Sequence, residues 1–165
     1  MERIVVFIDN SNIFKGFRKY NMKADYELLK KIIVGNRKLK EICLYEGVVY
    51  PISPEKKKWY EELSNRSGYV IKASFDKIAS SGAIEKKVDI NIAIDIISFA
   101  YENIYDTAVL VSGDGDFVPI VKKVKELDKN VEIWAFKYSL ANALRDTLEP
   151  INIHYLDDIL NEIKM

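Results

Sequence analysis

Short runs of apolar, β-branched and aromatic residues recur along the chain, and segments with helical spacing separate them. Five of these runs predict strands, at residues 4–9, 41–50, 69–75, 107–112 and 131–136. Most of the runs are continuously apolar, which is typical of strands that helices cover on both faces. The intervening spacing predicts helices at residues 11–20, 25–34, 54–65, 88–103, 116–127 and 140–148.

The regular alternation of strands and helices predicts an α/β fold, a three-layer α/β/α sandwich with a mostly parallel sheet. Residues 153–156 and 157–163 predict a further edge strand and a closing helix. Neither a linker nor a repeat divides the sequence, so we expect a single domain over residues 1–165. Over residues 76–87, Ser80, Ser81 and Gly82 interrupt the periodicity and predict a mobile surface loop.

The composition narrows the class of protein further. The chain has 165 residues, 48% of them apolar, and at this length about 70% of the unfolded surface can be buried, which excludes a disordered chain. Its 25 basic and 25 acidic residues cancel, so any affinity for nucleic acid must come from local charge. The apolar runs are far shorter than the roughly 20 residues of a membrane helix, and the N-terminus lacks a signal-peptide layout. We therefore expect a cytoplasmic protein without a membrane partner, and the lone Cys43 excludes an internal disulfide.

Acidic residues follow two of the apolar strands at the point where each strand ends. Asp9 follows the first strand, and Asp114 and Asp116 lie in the glycine-rich turn after the fourth. Ligands of open α/β sheets bind outside the carboxyl ends of the strands, where the winding reverses. If these two strands are neighbours at that reversal, their carboxylates converge. Taken singly, each turn is equally compatible with ordinary helix capping and turn chemistry.

The predicted helix at residues 88–103 supplies one more candidate. At about 100° per residue, a polar stripe on this helix comprises Asn91, Asp95, Ser98 and Glu102. Asp89 lies on the opposite, apolar side and therefore faces protein, although it is also placed to cap the helix. For Asp95, a solvated polar stripe and a functional role are both open.

Converging carboxylates would repel each other by roughly 3 kcal/mol per close pair, at an effective dielectric near 20 and about 5 Å separation. The fold must offset this repulsion by protonation or with a hard cation, and oxygen-only ligands suit Mg²⁺ or Mn²⁺. Phosphodiester hydrolysis fits such a site best, because a metal-activated water needs no nucleophilic side chain. The sole histidine, His154, is expected to be a surface or packing residue.

Three blocks of residues occur in this order along the chain: Phe7-Ile8-Asp9-Asn10-Ser11-Asn12, then Lys87-Val88-Asp89-Ile90 followed by Asp95, then Val111-Ser112-Gly113-Asp114-Gly115-Asp116-Phe117-Val118-Pro119-Ile120. Their order and spacing resemble the NYN domain, a branch of the PIN-like nucleases. The resemblance implies a PIN-like fold with parallel strand order 3-2-1-4-5 and a metal-dependent ribonuclease centre. It further implies an acidic set and polar support, which are Asp9, Asp89, Asp114 and Asp116, with Asn12 and Ser112. Many family members have Gly where this chain has Asn10.

RNA as a substrate requires cationic contacts to its phosphates, which an acidic cluster does not provide. Lys86 and Lys87 adjoin Asp89 in sequence and are the first candidates. Further candidates are Lys56, Lys57 and Lys58 beside Trp59 and Tyr60, and the later group Lys122, Lys123 and Lys125. Both of these groups are equally typical of solvated helix surfaces, although lysine beside aromatic rings also suits single-stranded RNA.

The leading hypothesis is an Mg²⁺- or Mn²⁺-dependent ribonuclease. A second hypothesis is a non-catalytic RNA-binding or regulatory interaction module with the same fold, acting as a homo-oligomer or with a protein partner. A third is a metal-dependent phosphatase, although the Asp-x-Asp signature expected directly after its first strand is absent.

Overall fold

The computed structural model describes residues 1–76 and 81–165. Within them, the sheet consists of β1 (Arg3–Asp9), β2 (Lys38–Val49), β3 (Val70–Asp76), β4 (Thr107–Val111), β5 (Asn130–Ala135) and β6 (Ile153–Tyr155). The helices are α1 (Asn10–Lys19), α2 (Tyr26–Val34), α3 (Pro54–Ser67), α4 (Ser81–Tyr101), α5 (Val118–Glu126), α6 (Asn142–Arg145) and α7 (Leu160–Ile163). Short 3-10 turns precede α5, β6 and α7.

The sheet is parallel throughout, with the strand order β3-β2-β1-β4-β5-β6. This confirms the predicted α/β fold and the order 3-2-1-4-5, and it also confirms the further edge strand, which is β6. The winding reverses at β1, which pairs with β2 on one side and with β4 on the other. The carboxyl ends of β1 and β4 therefore lie side by side. We call this end of the sheet, at which all the parallel strands terminate, its carboxyl edge.

β1 is continuously apolar because both faces of the sheet are covered. Val6 and Ile8 enter the core that α1 and α2 cover, whereas Val5 and Phe7 enter the core that α4 and α5 cover. These side chains are fully buried. Burial of a large aliphatic or aromatic side chain contributes roughly 1.5–3 kcal/mol to the free energy of folding. The packing of β1 therefore fixes the position of Asp9 at its end.

The sequence predicted that this helix starts at residue 88, but in the structure α4 begins at Ser81. The predicted loop over residues 76–87 is therefore wrong for residues 81–87, and its residues 77–80 lie outside the part that the structure describes. Tertiary packing explains the difference. Ile84 packs against the core beneath α4, directly over Gly47 of β2, where a Cβ would lie 1.9 Å from the Ile84 Cγ2 atom. This contact overrides the weak local helix propensity of the Ser81-Gly82 pair.

The predicted helix at residues 140–148 is shorter in the structure, where α6 covers only Asn142–Arg145. His154 lies on β6 at the edge of the sheet and stacks on Trp134, with ring centroids 4.5 Å apart, so it packs as predicted. Cys43 is a buried free thiol. None of the helices in the described part of the chain combines the length and apolar character that crossing a membrane requires.

Candidate metal centre

Three aspartates from three elements meet at the carboxyl edge of the sheet. Asp9 ends β1, Asp114 follows β4, and Asp89 lies on α4. Each of them offers one carboxylate oxygen, and these oxygens all lie within 4.8 Å of one another. The register explains the first two positions, because Ile8 pairs with Val111 and the two strands therefore end at the same level. We call Asp9, Asp89 and Asp114 the acidic triplet.

Helix α4 presents one face to the small cavity around the acidic triplet. Glu85, Val88 and Asp89 line this cavity, as the i, i+3, i+4 spacing of a helix requires. Sequence reasoning missed Glu85, because the residue fell in the predicted loop. Glu85 pairs with Lys15 of α1, with 3.4 Å between Lys15 Nζ and Glu85 Oε1, and so places a cation at the mouth of the cavity.

Polar side chains tie the two acidic turns together. The buried Ser112 hydroxyl donates to Asp9 Oδ2 at 2.9 Å and accepts the backbone N–H of Asp114 at 3.2 Å. The Asn12 Oδ1 atom accepts the backbone N–H of Gly113, also at 3.2 Å. Gly113 has no room for a side chain, since a Cβ there would lie 2.8 Å from the Ser139 carbonyl oxygen. These contacts hold the turn after β4 against the start of α1.

The crowding and burial of the triplet shift its protonation. Burial raises the pKa of Asp9 to about 6, although its hydrogen bond from Ser112 acts in the opposite direction. Burial, followed by the charges of Asp9 and Asp114, raises the pKa of Asp89 to about 7. Near neutral pH Asp89 is therefore about half protonated, whereas Asp9 loses most of its proton about one pH unit lower, and a bound cation would displace the protons that remain.

Asp116, the fourth predicted member, lies at the rim. It is exposed and stands outside the acidic triplet. Its backbone N–H donates to Asp114 Oδ1 at 2.9 Å, and its charge contributes to the raised pKa of Asp89. Of the two aspartates in the Asp-x-Asp turn, Asp114 therefore lines the cavity and Asp116 lies near solvent.

Asp95 lies apart from the triplet, as the angular arithmetic predicted. Its Oδ2 atom accepts hydrogen bonds from the Tyr45 hydroxyl at 2.6 Å and from Lys72 Nζ at 2.9 Å. These partners belong to β2 and β3, so Asp95 fixes α4 on the sheet. These contacts give Asp95 a structural role between α4 and the sheet.

Lys86 and Lys87 are exposed on α4 but do not line the cavity, because the helix turns them away from the face that carries Asp89. Lys87 Nζ lies 3.9 Å from Asp76 Oδ2. The later lysines Lys122, Lys123 and Lys125 are also exposed. A role in binding RNA phosphates stays a prediction for both groups.

Asn10, which stands where many NYN domains have Gly, is buried on the other side of α1. Its Nδ2 atom donates to Glu46 Oε1 at 2.9 Å, and its Oδ1 atom accepts from the Tyr26 hydroxyl. The larger side chain therefore does not enter the cavity of the acidic triplet and leaves that turn intact.

A family model described as the NYN domain matches residues 3–152. The chain belongs to the NYN domain family. This NYN domain also superposes on the crystal structure of a Vibrio parahaemolyticus protein of unknown function, with a TM-score of 0.81 and 20% sequence identity, over 99% of this chain and 96% of that one. Identity at that level demonstrates a shared fold. A search of curated protein sequences finds no significant match.

The family assignment implies a PIN-like nuclease fold, and nucleases of that kind typically use divalent metals. The donor set of this NYN domain fits such an ion. Within the described residues, the acidic triplet offers carboxylate oxygens only, without His or Cys, which suits a hard cation. Burial, and after it the neighbouring carboxylates, raise the pKa values of Asp9 and Asp89, so a bound cation would favour their ionised forms.

Proposed function

We propose that this NYN domain is a divalent-metal-dependent ribonuclease that hydrolyses RNA phosphodiester bonds. The observation that carries the proposal is the meeting of Asp9, Asp89 and Asp114, from three separate elements, within 4.8 Å at the carboxyl edge of the sheet. RNA is the substrate class that the NYN family suggests.

In this proposal, Asp9, Asp89 and Asp114 hold Mg²⁺ or Mn²⁺. The cation would lower the pKa of a water molecule and neutralise charge on the scissile phosphate. Asp116, at the rim, would complete the acidic set from the solvent side. Ser112 donates to Asp9 Oδ2 and thereby fixes the direction in which that carboxylate points.

The chain's own cations would neutralise the phosphates. Lys15 at the mouth of the cavity is the nearest candidate, because it already approaches the acidic residues through Glu85. Lys86 and Lys87 are exposed on α4 and are proposed as contacts to phosphates farther along the RNA strand. Asn12 orients the turn that carries Asp114, through the backbone N–H of Gly113.

Cleavage of RNA by the purified protein, in Mn²⁺ and in EDTA, tests the proposal. We expect cleavage in Mn²⁺ only, and we expect Asp114→Asn to lower the rate by at least about 100-fold without lowering the melting temperature. Asp128→Asn is the matched control, because Asp128 is exposed in the turn after α5 and its positive φ suits asparagine.

Undiminished cleavage by the Asp114→Asn protein would discard the assignment. Binding of RNA without cleavage in every divalent metal tested would instead select the non-catalytic RNA-binding or regulatory module. Turnover of a chromogenic phosphate ester, but not of RNA, would select the phosphatase.

A further inference from the structure

A second cavity lies against helix α1, on the flank opposite the acidic triplet. Its volume is about 400 Å³, against about 70 Å³ for the cavity of the triplet. Ligand pockets commonly occupy roughly 300–1,000 Å³, so the second cavity has the size for an organic ring and the first has the size for an ion with water. Aromatic and apolar side chains dominate its wall, namely Phe14, Phe17, Met22, Tyr26 and Trp59. We call it the aromatic pocket.

One helix separates the aromatic pocket from the acidic triplet. Ser11, Asn12 and Lys15 of α1 line the acidic side. Asn10, Phe14 and Phe17 line the aromatic side. An α-helix with its side chains is about 10–12 Å across. An extended polymeric ligand with one part in the first cavity can therefore place another part in the second by passing over the outer face of α1.

That outer face carries an aromatic ring with a cation beside it. The Phe14 side chain is 50% exposed, so its ring is accessible to a ligand. The Arg18 guanidinium lies 5.9 Å from the centre of its ring, and Lys15 follows Phe14 directly in the sequence. Exposed rings flanked by Lys or Arg are the means by which proteins hold single-stranded nucleic acid.

The inner end of the pocket is rigid and polar. Glu46 is buried and accepts hydrogen bonds from Asn10 and from the Tyr60 hydroxyl, while Lys56 Nζ lies 3.0 Å from Glu46 Oε1. Buried polar groups with several partners hold a fixed geometry. Lys56 Nζ also lies 5.7 Å from the centre of the Trp59 ring, so the wall of the pocket combines an aromatic face with a cation.

We propose that the aromatic pocket holds a nucleobase of single-stranded RNA, while a phosphate close by in the same strand lies at the acidic triplet. This inference rests on the proposed function, which supplies RNA as the ligand. A base can stack on Trp59 and Phe14 of the aromatic wall, and its sugar-phosphate chain can pass Arg18 beside Phe14 and Lys15 at the mouth of the acidic cavity. An apolar peptide would also fill the wall, but the Arg18 guanidinium beside the exposed Phe14 ring favours a chain that carries negative charge.

Tryptophan fluorescence reports occupancy of the pocket directly, because the chain has two tryptophans in different surroundings. Trp59 lines the pocket, whereas Trp134 is buried and donates to Glu132 Oε1 at 2.7 Å. A short oligouridylate is titrated into the protein in Ca²⁺, and again in EDTA. We expect quenching that Trp134→Phe retains and Trp59→Phe abolishes.

Binding of the same oligouridylate by fluorescence anisotropy supplies the second measurement. We expect Phe14→Ala to weaken binding by about tenfold, the effect of one lost base stack, and it should fold normally because Phe14 is half exposed. Tyr101→Ala is the matched control, since Tyr101 is an exposed aromatic residue at the far end of α4.

The outcomes separate this inference from the ribonuclease proposal. Quenching at Trp59 together with weaker binding by Phe14→Ala supports the nucleobase pocket, even if the protein cleaves no RNA in Mn²⁺. The absence of quenching in both conditions overturns it, even if cleavage by the wild-type protein is normal. Equal affinities for the Phe14→Ala and Tyr101→Ala proteins overturn it as well.

Discussion

The hydroxyl of Ser112 donates a hydrogen bond of 2.9 Å to Oδ2 of Asp9, across the central pair of strands. Both residues are buried, so water does not replace this contact when it is lost. Because the same hydroxyl accepts the N–H of Asp114, one small side chain connects two members of the acidic triplet.

Removal of that hydroxyl should affect stability and protonation together. Ser112→Ala leaves the Asp9 carboxylate and the Asp114 N–H without this partner, and we expect it to lower the free energy of unfolding by about 1–3 kcal/mol. The pKa of Asp9 should rise further, since the Ser112 hydrogen bond now lowers it. Urea unfolding measures the first effect. Ser64→Ala, on the exposed side of α3, is the control and should change stability by less than about 0.5 kcal/mol.

The stability of the metal-free protein should fall as the pH rises from 5 to 8. Asp9 and Asp89 have pKa values of about 6 and about 7 in the folded state, against 3.8 ordinarily. The folded protein therefore binds more protons than the unfolded chain between these values, and the linkage slope is negative. Because Asp89 is only half-buried, we expect a loss of about 1–3 kcal/mol.

Thermal unfolding in EDTA measures this loss. Asp89→Asn should show a flatter profile and a higher melting temperature than the wild-type protein at pH 8, because it removes one of the repelling charges. Asp106 does not confuse the comparison, since Arg3 lowers its pKa to about 2 and it titrates below the range. A wild-type profile that is flat or rises with pH in EDTA would contradict the prediction.

Mn²⁺ should stabilise the folded protein, and the two aspartates of the Asp-x-Asp turn should differ in this respect. We expect Asp114→Asn to abolish the rise in melting temperature that Mn²⁺ produces at pH 8. Asp116→Asn should keep most of it, because Asp116 is exposed and outside the triplet. Mn²⁺ titrations of the two variants decide the point. Equal losses in both would place Asp116 among the metal ligands.

Gly47 should be necessary for the position of Asp89. A Cβ at Gly47 would lie 1.9 Å from Ile84 Cγ2, so Gly47→Ala must push away the start of α4, which carries Glu85 and Asp89. We expect a loss of about 1–3 kcal/mol of stability and weaker Mn²⁺ binding. Combining it with Ile84→Ala should restore part of both, because the second change removes the clash. Additive losses in the double variant would show that the two residues do not interact.

The hydrophobic pattern predicted the strands and their parallel arrangement, because these depend on runs of residues that are buried on both faces. The meeting of Asp9 with Asp114 was predicted only on the condition that β1 and β4 are neighbours, and the resemblance to the NYN domain implied that strand order. The hydrophobic pattern placed the start of α4 too late, since Ser81 and Gly82 are poor helix formers and the contact between Ile84 and Gly47 is not visible in one sequence. Because of that error, Glu85 was not predicted to lie on a helix beside Asp89. With the helix extended, the four-residue spacing of Glu85 and Asp89 would have revealed it.

The orientation of individual side chains in the tight turns was beyond sequence reasoning. Asp114 and Asp116 are two residues apart, yet a 3-10 turn at Gly115–Phe117 sends them in different directions. The network of Asn10, Tyr26 and Glu46 likewise joins elements that are distant in sequence. No local pattern signals such a contact.

The position of β1 in the middle of the sheet has a consequence for synthesis. Asp9 leaves the ribosome first, but β1 lacks one of its two neighbours until β4 emerges about 100 residues later. A nascent chain that stops before β4 carries Asp9 and Asp89 without Asp114. The acidic triplet is therefore assembled only when both halves of the chain have been translated and have docked, and the proposed binding of Mn²⁺ would report that event.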